Sequence, residues 1–291
     1  MIVSHSSATV VFAITSAPTL LSSFSTRNRI GIPAAGDQTR AVINVSPAAN
    51  GIGLANPADV PITVPAKEHW PRHNHENFYW LQEDLLRERQ GMGRGWTYSI
   101  WRPQALFGNA LGSPMNIIGA LGVYAAMRRE QGLPLNFPGG GELVTAATDT
   151  RLLAEAICWG GEAESAQNQT FNVINGDVLV WPHIWHCIAD TFAMPLGGHE
   201  PEQLEETMPR QEAAWAAMTE KYDLRRNTLA EWIGSSWQFT DRSLATGIEH
   251  PAPSVLSPVK LNDAGFTKMI DTEASIVWWL KRLQQERWLP T

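Results

Sequence analysis

ENFYWLQEDLL (Glu76–Leu86), GWTYSIWRPQALFG (Gly95–Gly108) and GSPMNIIGALGVYAAMRREQGLPLNFPGG (Gly112–Gly140) lie within one stretch, Glu76 to Gly141, and their reading decides the fold. The first segment is an amphipathic helix with Asn77 as its N-cap and Leu81, Leu85 and Leu86 on its buried face. Thr97–Trp101 is a short buried strand that ends in Trp-Arg-Pro. A turn follows, then a second helix over Pro114–Glu130 carrying Met115, Ile118, Leu121, Val123 and Ala126, and a Gly/Pro-rich exit. A helix, a strand and a polar loop at the strand's carboxyl end is the order that places ligands in open α/β sheets.

Working outward, Thr9–Ile14 reads as a buried strand bounded by Ser and Pro, and AVINVSP (Ala41–Pro47) as a second, with Val/Ile alternation and turn residues after it. Between them and the first helix, Pro57, Pro61, Pro65 and Pro71 argue against regular structure. HWPRHNH (His69–His75) matches no metal-ligand spacing and reads as a solvated loop. Downstream, Ala147–Trp159 is helical, Phe171–Ile174 a short strand, Asn175–Asp177 its turn, and Val178–Phe192 a helix that starts in earnest at Pro182. From Pro201 the texture is helical and charged, with no hydrophobic strand pattern. The expected architecture is α/β: a Rossmann-like, mostly parallel sheet in residues 1–195 and a smaller helical cap in residues 196–291.

With 291 residues the chain is long enough for a sizeable core. A formal charge of −7, with few basic clusters, points away from nucleic acid and from anionic membrane surfaces as partners. Cys158 and Cys187 both sit in apolar helical patterns and read as buried, reduced thiols. The 13 tryptophans suit either an aromatic-lined cavity or a Trp-rich core. Met1–Ser23 is apolar but lacks the positive charge that opens a signal peptide, so a cytoplasmic location is expected.

The blocks NFYWLQED (Asn77–Asp84), WRPQALFG (Trp101–Gly108), SPMNIIGALGVYAA (Ser113–Ala126), GLPLNFPG (Gly132–Gly139) and FNVINGDVLVWPHIW (Phe171–Trp185) resemble the progesterone 5β-reductase/iridoid synthase-like short-chain dehydrogenases. The similarity runs from about Val64 to the C-terminus. The resemblance implies reduction of activated C=C bonds with NADP(H), with a tyrosine stabilising the developing enolate oxygen. By the resemblance the family's tyrosine aligns with Trp80, which cannot cycle a proton near neutral pH; Tyr79, about 100° away around the helix, is either the catalytic residue or part of the core. The family's lysine segment falls near Ser46–Asn50, where there is none, and Lys67 reads as a surface residue. By the same resemblance Pro103, Gln104, Ala105 and Leu106 bind the nicotinamide side of the cofactor. Met115, Asn116 and Tyr124 line the substrate cavity, and Trp237, within SSWQF (Ser235–Phe239), closes it. No metal is implied. Arg102 either serves the cofactor segment or forms a buried ion pair with Asp149 or Glu155.

Family enzymes begin with a strand, a Gly-rich turn and a helix that grips the cofactor pyrophosphate. Here GIG (Gly51–Gly53) and GMGRG (Gly91–Gly95) are the only glycine candidates, and both read as turns. Aligning Thr9–Ile14 with the fourth strand of the usual domain makes the sheet N-terminally truncated and NADP(H) binding weak. Three functions follow: an enone reductase acting on a small apolar carbonyl compound, possible as a homodimer; a truncated or degenerate non-redox relative; or a non-redox enzyme of isomerisation or cyclisation.

Overall fold

The computed structural model describes residues 4–5, 8–14, 41–45, 63–72, 78–92 and 96–291. The expected N-cap Asn77, Gly51–Gly53, Ser46–Asn50 and His73–His75 lie outside the described residues. The elements are β1 (Ser4–His5), β2 (Ala8–Ile14), β3 (Ala41–Val45), α1 (Phe78–Gly91), β4 (Thr97–Pro103), β5 (Leu106–Phe107) and α2 (Ile117–Glu130). Next come β6 (Leu135–Phe137), β7 (Thr148–Asp149), α3 (Thr150–Glu162), β8 (Gln169–Val173), α4 (Trp181–Thr191) and β9 (Leu196–His199). Further helices follow: α5 (Leu204–Thr207), α6 (Glu212–Lys221), α7 (Leu229–Trp232), α8 (Ser236–Ser243), α9 (Val259–Asp263) and α10 (Thr272–Gln285).

Two compact units share these elements. The first comprises Met1–Gln104, Arg151–Ile174 and Val255–Met269; the second Ala105–Thr150, Asn175–Ser254 and Ile270–Thr291. The first is built on a five-stranded sheet in the order β1-β2-β3-β4-β8. β2, β3, β4 and β8 run parallel, with Val10 opposite Ala41, Ala41 opposite Thr97 and Ser99 opposite Gln169. All four strands expected from sequence are therefore present, and β4 is buried almost without interruption, as a strand covered on both faces must be. Two-residue β1, which the sequence pattern does not reveal, adds an antiparallel edge to β2.

Successive residues of β4 face opposite ways. On one side Trp101 packs against Phe171 of β8 at 5.5 Å and under Gly160 of α3. A Cβ at Gly160 would stand 2.3 Å from the Trp101 ring, so only glycine lets α3 lie this close. On the other side Arg102 faces α1. That helix corrects the expected pattern: Leu86 is buried, but Leu81 is 71% exposed and Leu85 only half-buried. The buried positions are Tyr79, Trp80, Glu83 and Leu86, a stripe at helical spacing with a carboxylate in its middle.

The second unit is organised around α2, whose residues Ile117 to Met127 are all buried. Each fully buried Leu, Ile, Val or Phe there contributes about 1.5–3 kcal/mol. Trp215, Trp232 and Trp288 stack in series at 5.9 and 5.0 Å, a Trp-rich core. β6 and β9 pair in parallel within the Gly/Pro-rich exit and the segment after α4, where no strand is expected from sequence. Of the two thiols, Cys187 is buried and pushed up to about 12 by that burial, whereas Cys158 is exposed, because its position on α3 turns away from the sheet. Neither is paired.

Candidate active site at the end of β4

In the first unit, the carboxyl end of β4 and the first turns of α1 hold Tyr79, Trp80, Pro103 and Gln104, while Ala105 and Leu106 open the second unit. Tyr79 is 6% exposed, and burial pushes its phenol above the ordinary tyrosine value. A proton-exchanging tyrosine needs the opposite shift, which a neighbouring cation supplies. Trp80 is 7% exposed, and the Arg72 guanidinium sits 5.3 Å from its ring centroid in a cation–π contact. Lys67 is exposed.

Glu83, four residues after Tyr79 on the same helix face, is fully buried. Arg102 grips it with both arms of its guanidinium: Nε donates to Oε1 at 2.8 Å and Nη2 to Oε2 at 2.7 Å. Arg87 Nη2 (3.1 Å) and Arg72 Nη2 (3.2 Å) donate to the same Oε2. Burial alone would raise the Glu83 carboxyl, but Arg102 and Arg87 outweigh it and hold it below the usual glutamate range. The ion pair anticipated for Arg102 is thus real but its partner differs. Asp149 instead accepts from Ser275 Oγ at 2.5 Å, and Glu155 pairs with Lys268. Sequence reasoning missed Glu83 because a helical glutamate is ordinarily solvated. The available signal was Arg102 inside a buried strand, which requires a carboxylate nearby.

Past Arg102, Pro103 is buried and pairs with Val173, and Gln104 Oε1 accepts from Leu256 N at 3.2 Å. The next residue, Ala105, has φ of +24°, a conformation that costs a side-chain-bearing residue of order 1–3 kcal/mol. Its carbonyl accepts from Thr148 N at 3.1 Å as β5 begins. A strained turn at the carboxyl end of a parallel strand is where an α/β sheet presents backbone groups to a ligand. Beside β8, the exposed Lys260 donates to Thr170 O at 3.0 Å, and partial desolvation lowers its amine.

The four residues expected on the substrate side all fall in the second unit. Asn116 is the N-cap of α2: its Oδ1 accepts from Gly119 N at 3.1 Å, and its Nδ2 donates to Asn109 Oδ1 and Ala110 O. Its backbone N–H donates to Ser236 Oγ at 3.0 Å, which brings the start of α2 beside α8 and Trp237. Met115 is half-buried and Trp237 3% exposed. Tyr124 lies two turns along α2, 2% exposed, its hydroxyl donating to Asn136 O at 3.2 Å. Met115, Asn116 and Trp237 are therefore grouped and Tyr124 is apart from them. A cleft of about 380 Å³ in this unit is lined by Phe137, Glu142, Trp185, Leu196 and His199 among others, and by none of the four.

No family model matches the chain. Among curated proteins, an (S)-8-oxocitronellyl enol synthase of Nepeta cataria is 32% identical over 236 residues, which cover 78% of this chain and 58% of that protein. A 3-oxo-Δ(4,5)-steroid 5β-reductase of Arabidopsis thaliana is 34% identical over 232 residues, again 78% and 58%. The chain belongs to the progesterone 5β-reductase/iridoid synthase-like family. It spans 58% of the length of both these relatives. Among solved structures, a GDP-L-fucose synthetase from Naegleria fowleri matches with a TM-score of 0.56 at 11% identity, covering 85% of this chain and 65% of that one. RMD from Pseudomonas aeruginosa, solved with NADPH, matches at 0.51 and 17% identity, covering 84% and 67%. These structures share a Rossmann-like α/β fold with this family member. Among the described residues no His, Cys, Asp or Glu group is arranged to hold a metal ion, and no helix is long and apolar enough to cross a membrane.

Proposed function

We propose that this family member reduces the activated C=C bond of a small apolar enone, with NADPH as the reductant. The observation that carries the reading is the turn Arg102-Pro103-Gln104-Ala105 at the carboxyl end of β4, strained at Ala105 and preceded by a strand fixed to α1. Its support is the kinship to a relative named a steroid 5β-reductase. When bound, NADPH supplies the hydride that adds to the β-carbon of the enone. Backbone groups of Pro103, Gln104, Ala105 and Leu106 hold the nicotinamide side, and Tyr79 donates a hydrogen bond to the substrate carbonyl oxygen, where negative charge develops. Burial raises its phenol, so Tyr79 keeps its proton at neutral pH and acts as a hydrogen-bond donor to that oxygen. Within the second unit, Met115, Asn116 and Trp237, grouped at the start of α2, remain proposed for the substrate side, whereas Tyr124 lies apart with its hydroxyl on Asn136 O.

A second reading, a family member that binds the carbonyl compound without reducing it, is favoured by Trp80. By the resemblance it falls in the tyrosine's place, and Arg72 lies over its ring. Incubation of the full chain with progesterone, with and without NADPH, separates the two. The reductase reading expects a product two hydrogens heavier, formed only with NADPH, and a Tyr79→Phe turnover lowered by about 10²-fold. Absence of any NADPH-dependent product would overturn it.

A further inference from the structure

Apolar residues at both Glu83 and Arg102 would join α1 to the sheet without desolvating two charges, and such replacements of a whole buried ion pair are often neutral or stabilising. What a forked, fully buried pair supplies and an apolar contact does not is a fixed relative geometry.

We infer that Glu83 is a positioning residue: through its forked pair with Arg102 it sets the first turn of α1, and hence Tyr79, against Pro103 and Gln104 at the end of β4. The inference rests on the reductase reading. Both ends of the pair are one step from the groups they position. Tyr79 lies one helical turn before Glu83 on the same face, and Arg102 immediately precedes Pro103. The pair is also triangulated, because Arg72 from the preceding loop and Arg87 from the next turn of α1 hold the same oxygen from other directions. A misplacement of about 1 Å at a reacting centre costs up to about 10²-fold in rate.

The test exchanges the pair for apolar residues of similar volume, Glu83→Met with Arg102→Leu, in the full chain assayed for NADPH-dependent progesterone reduction. The expected result is a melting temperature near that of the unsubstituted protein with kcat lowered by about 10²-fold. Adding Tyr79→Phe in that background should then cost only a few-fold, because the tyrosine is already displaced. A kcat within about threefold of the unsubstituted protein, or a Tyr79→Phe effect of full size in that background, would overturn the inference and leave the reductase reading standing. Absence of turnover in the unsubstituted protein would remove both. Where the pair variant does not fold, Glu83→Asp draws the carboxylate back by one methylene with its charge intact. Lowered kcat at near-normal melting temperature supports positioning, and unchanged kcat refutes it.

Discussion

Helices α1 and α2 are both 14 residues long and are fixed in opposite ways. Helix α2 is buried from Ile117 to Met127 and is held by close apolar packing, as at Gly122, where an added Cβ would stand 2.4 Å from a Leu289 methyl. Among its described side chains helix α1 buries Tyr79, Trp80, Glu83 and Leu86, and its central buried group is a carboxylate shared by three arginines. Packing tolerates small shifts and repacking of neighbours, whereas a forked ion pair specifies one arrangement and fails when either partner is lost. The family's reacting groups are expected on the helix held by charge.

Loss of one partner should therefore have the largest effect. Glu83→Ala leaves Arg102 buried without its carboxylate and should cost about 3–5 kcal/mol in a denaturant titration. A cost no greater than about 1 kcal/mol, the range of exposed pairs, would erase the contrast with α2. Next in size is Asn116→Ala, which removes the cap of α2 and the hydrogen bonds to Asn109 and Ala110. Thermal melting should register about 2 kcal/mol for the lost cap and the polar groups left behind. An unchanged melt would show that α2 needs packing alone.

These expectations also mark what the sequence discloses. Val/Ile alternation in AVINV and the apolar run TYSIW locate β3 and β4, and Pro182 locates the start of α4, because the local chemistry of each points one way; in β4 burial agrees with it. Leu81 misleads because a leucine is assigned to the core by type, and Glu83 is hidden because a glutamate is assigned to solvent by type. Only the arginine on β4, far along the chain, reverses the second assignment. Strand β9 is illegible for another reason: two of the four residues in LGGH have no side chain, so no alternation exists to be read. In the candidate site, WRPQ announces the end of a strand, but the backbone strain at Ala105 comes from tertiary constraint, since alanine does not favour positive φ.

Acid sharpens the comparison in a third way. The Glu83 carboxyl is held below its ordinary value, so it contributes stability above about pH 4.3 that is lost as the pH falls through its folded value. Asp241 on α8 has the opposite sign. Burial raises its carboxyl despite the N–H groups of Leu204 (3.0 Å) and Glu205 (2.9 Å), so its contribution is complete at low pH and lost as pH rises through its folded value. Amide hydrogen exchange, corrected for intrinsic rates, should show α1 losing protection on acidification while α8 gains it. Parallel loss in both helices would contradict the assignment. The smallest effect belongs to Arg72→Gln: its side chain is one-third exposed, so less than about 1 kcal/mol should be lost by chemical denaturation. A larger cost would move the centre of the network from Arg102 to the loop.

The most direct measurement is a double-mutant cycle on Glu83→Met and Arg102→Leu, with stability read from denaturant unfolding. Each single change strands a partner, while the pair restores an apolar contact. The predicted coupling is about 3 kcal/mol, with the double variant more stable than either single one. Additive effects, with a coupling below about 0.5 kcal/mol, would contradict the claim that this buried ion pair holds α1 on β4.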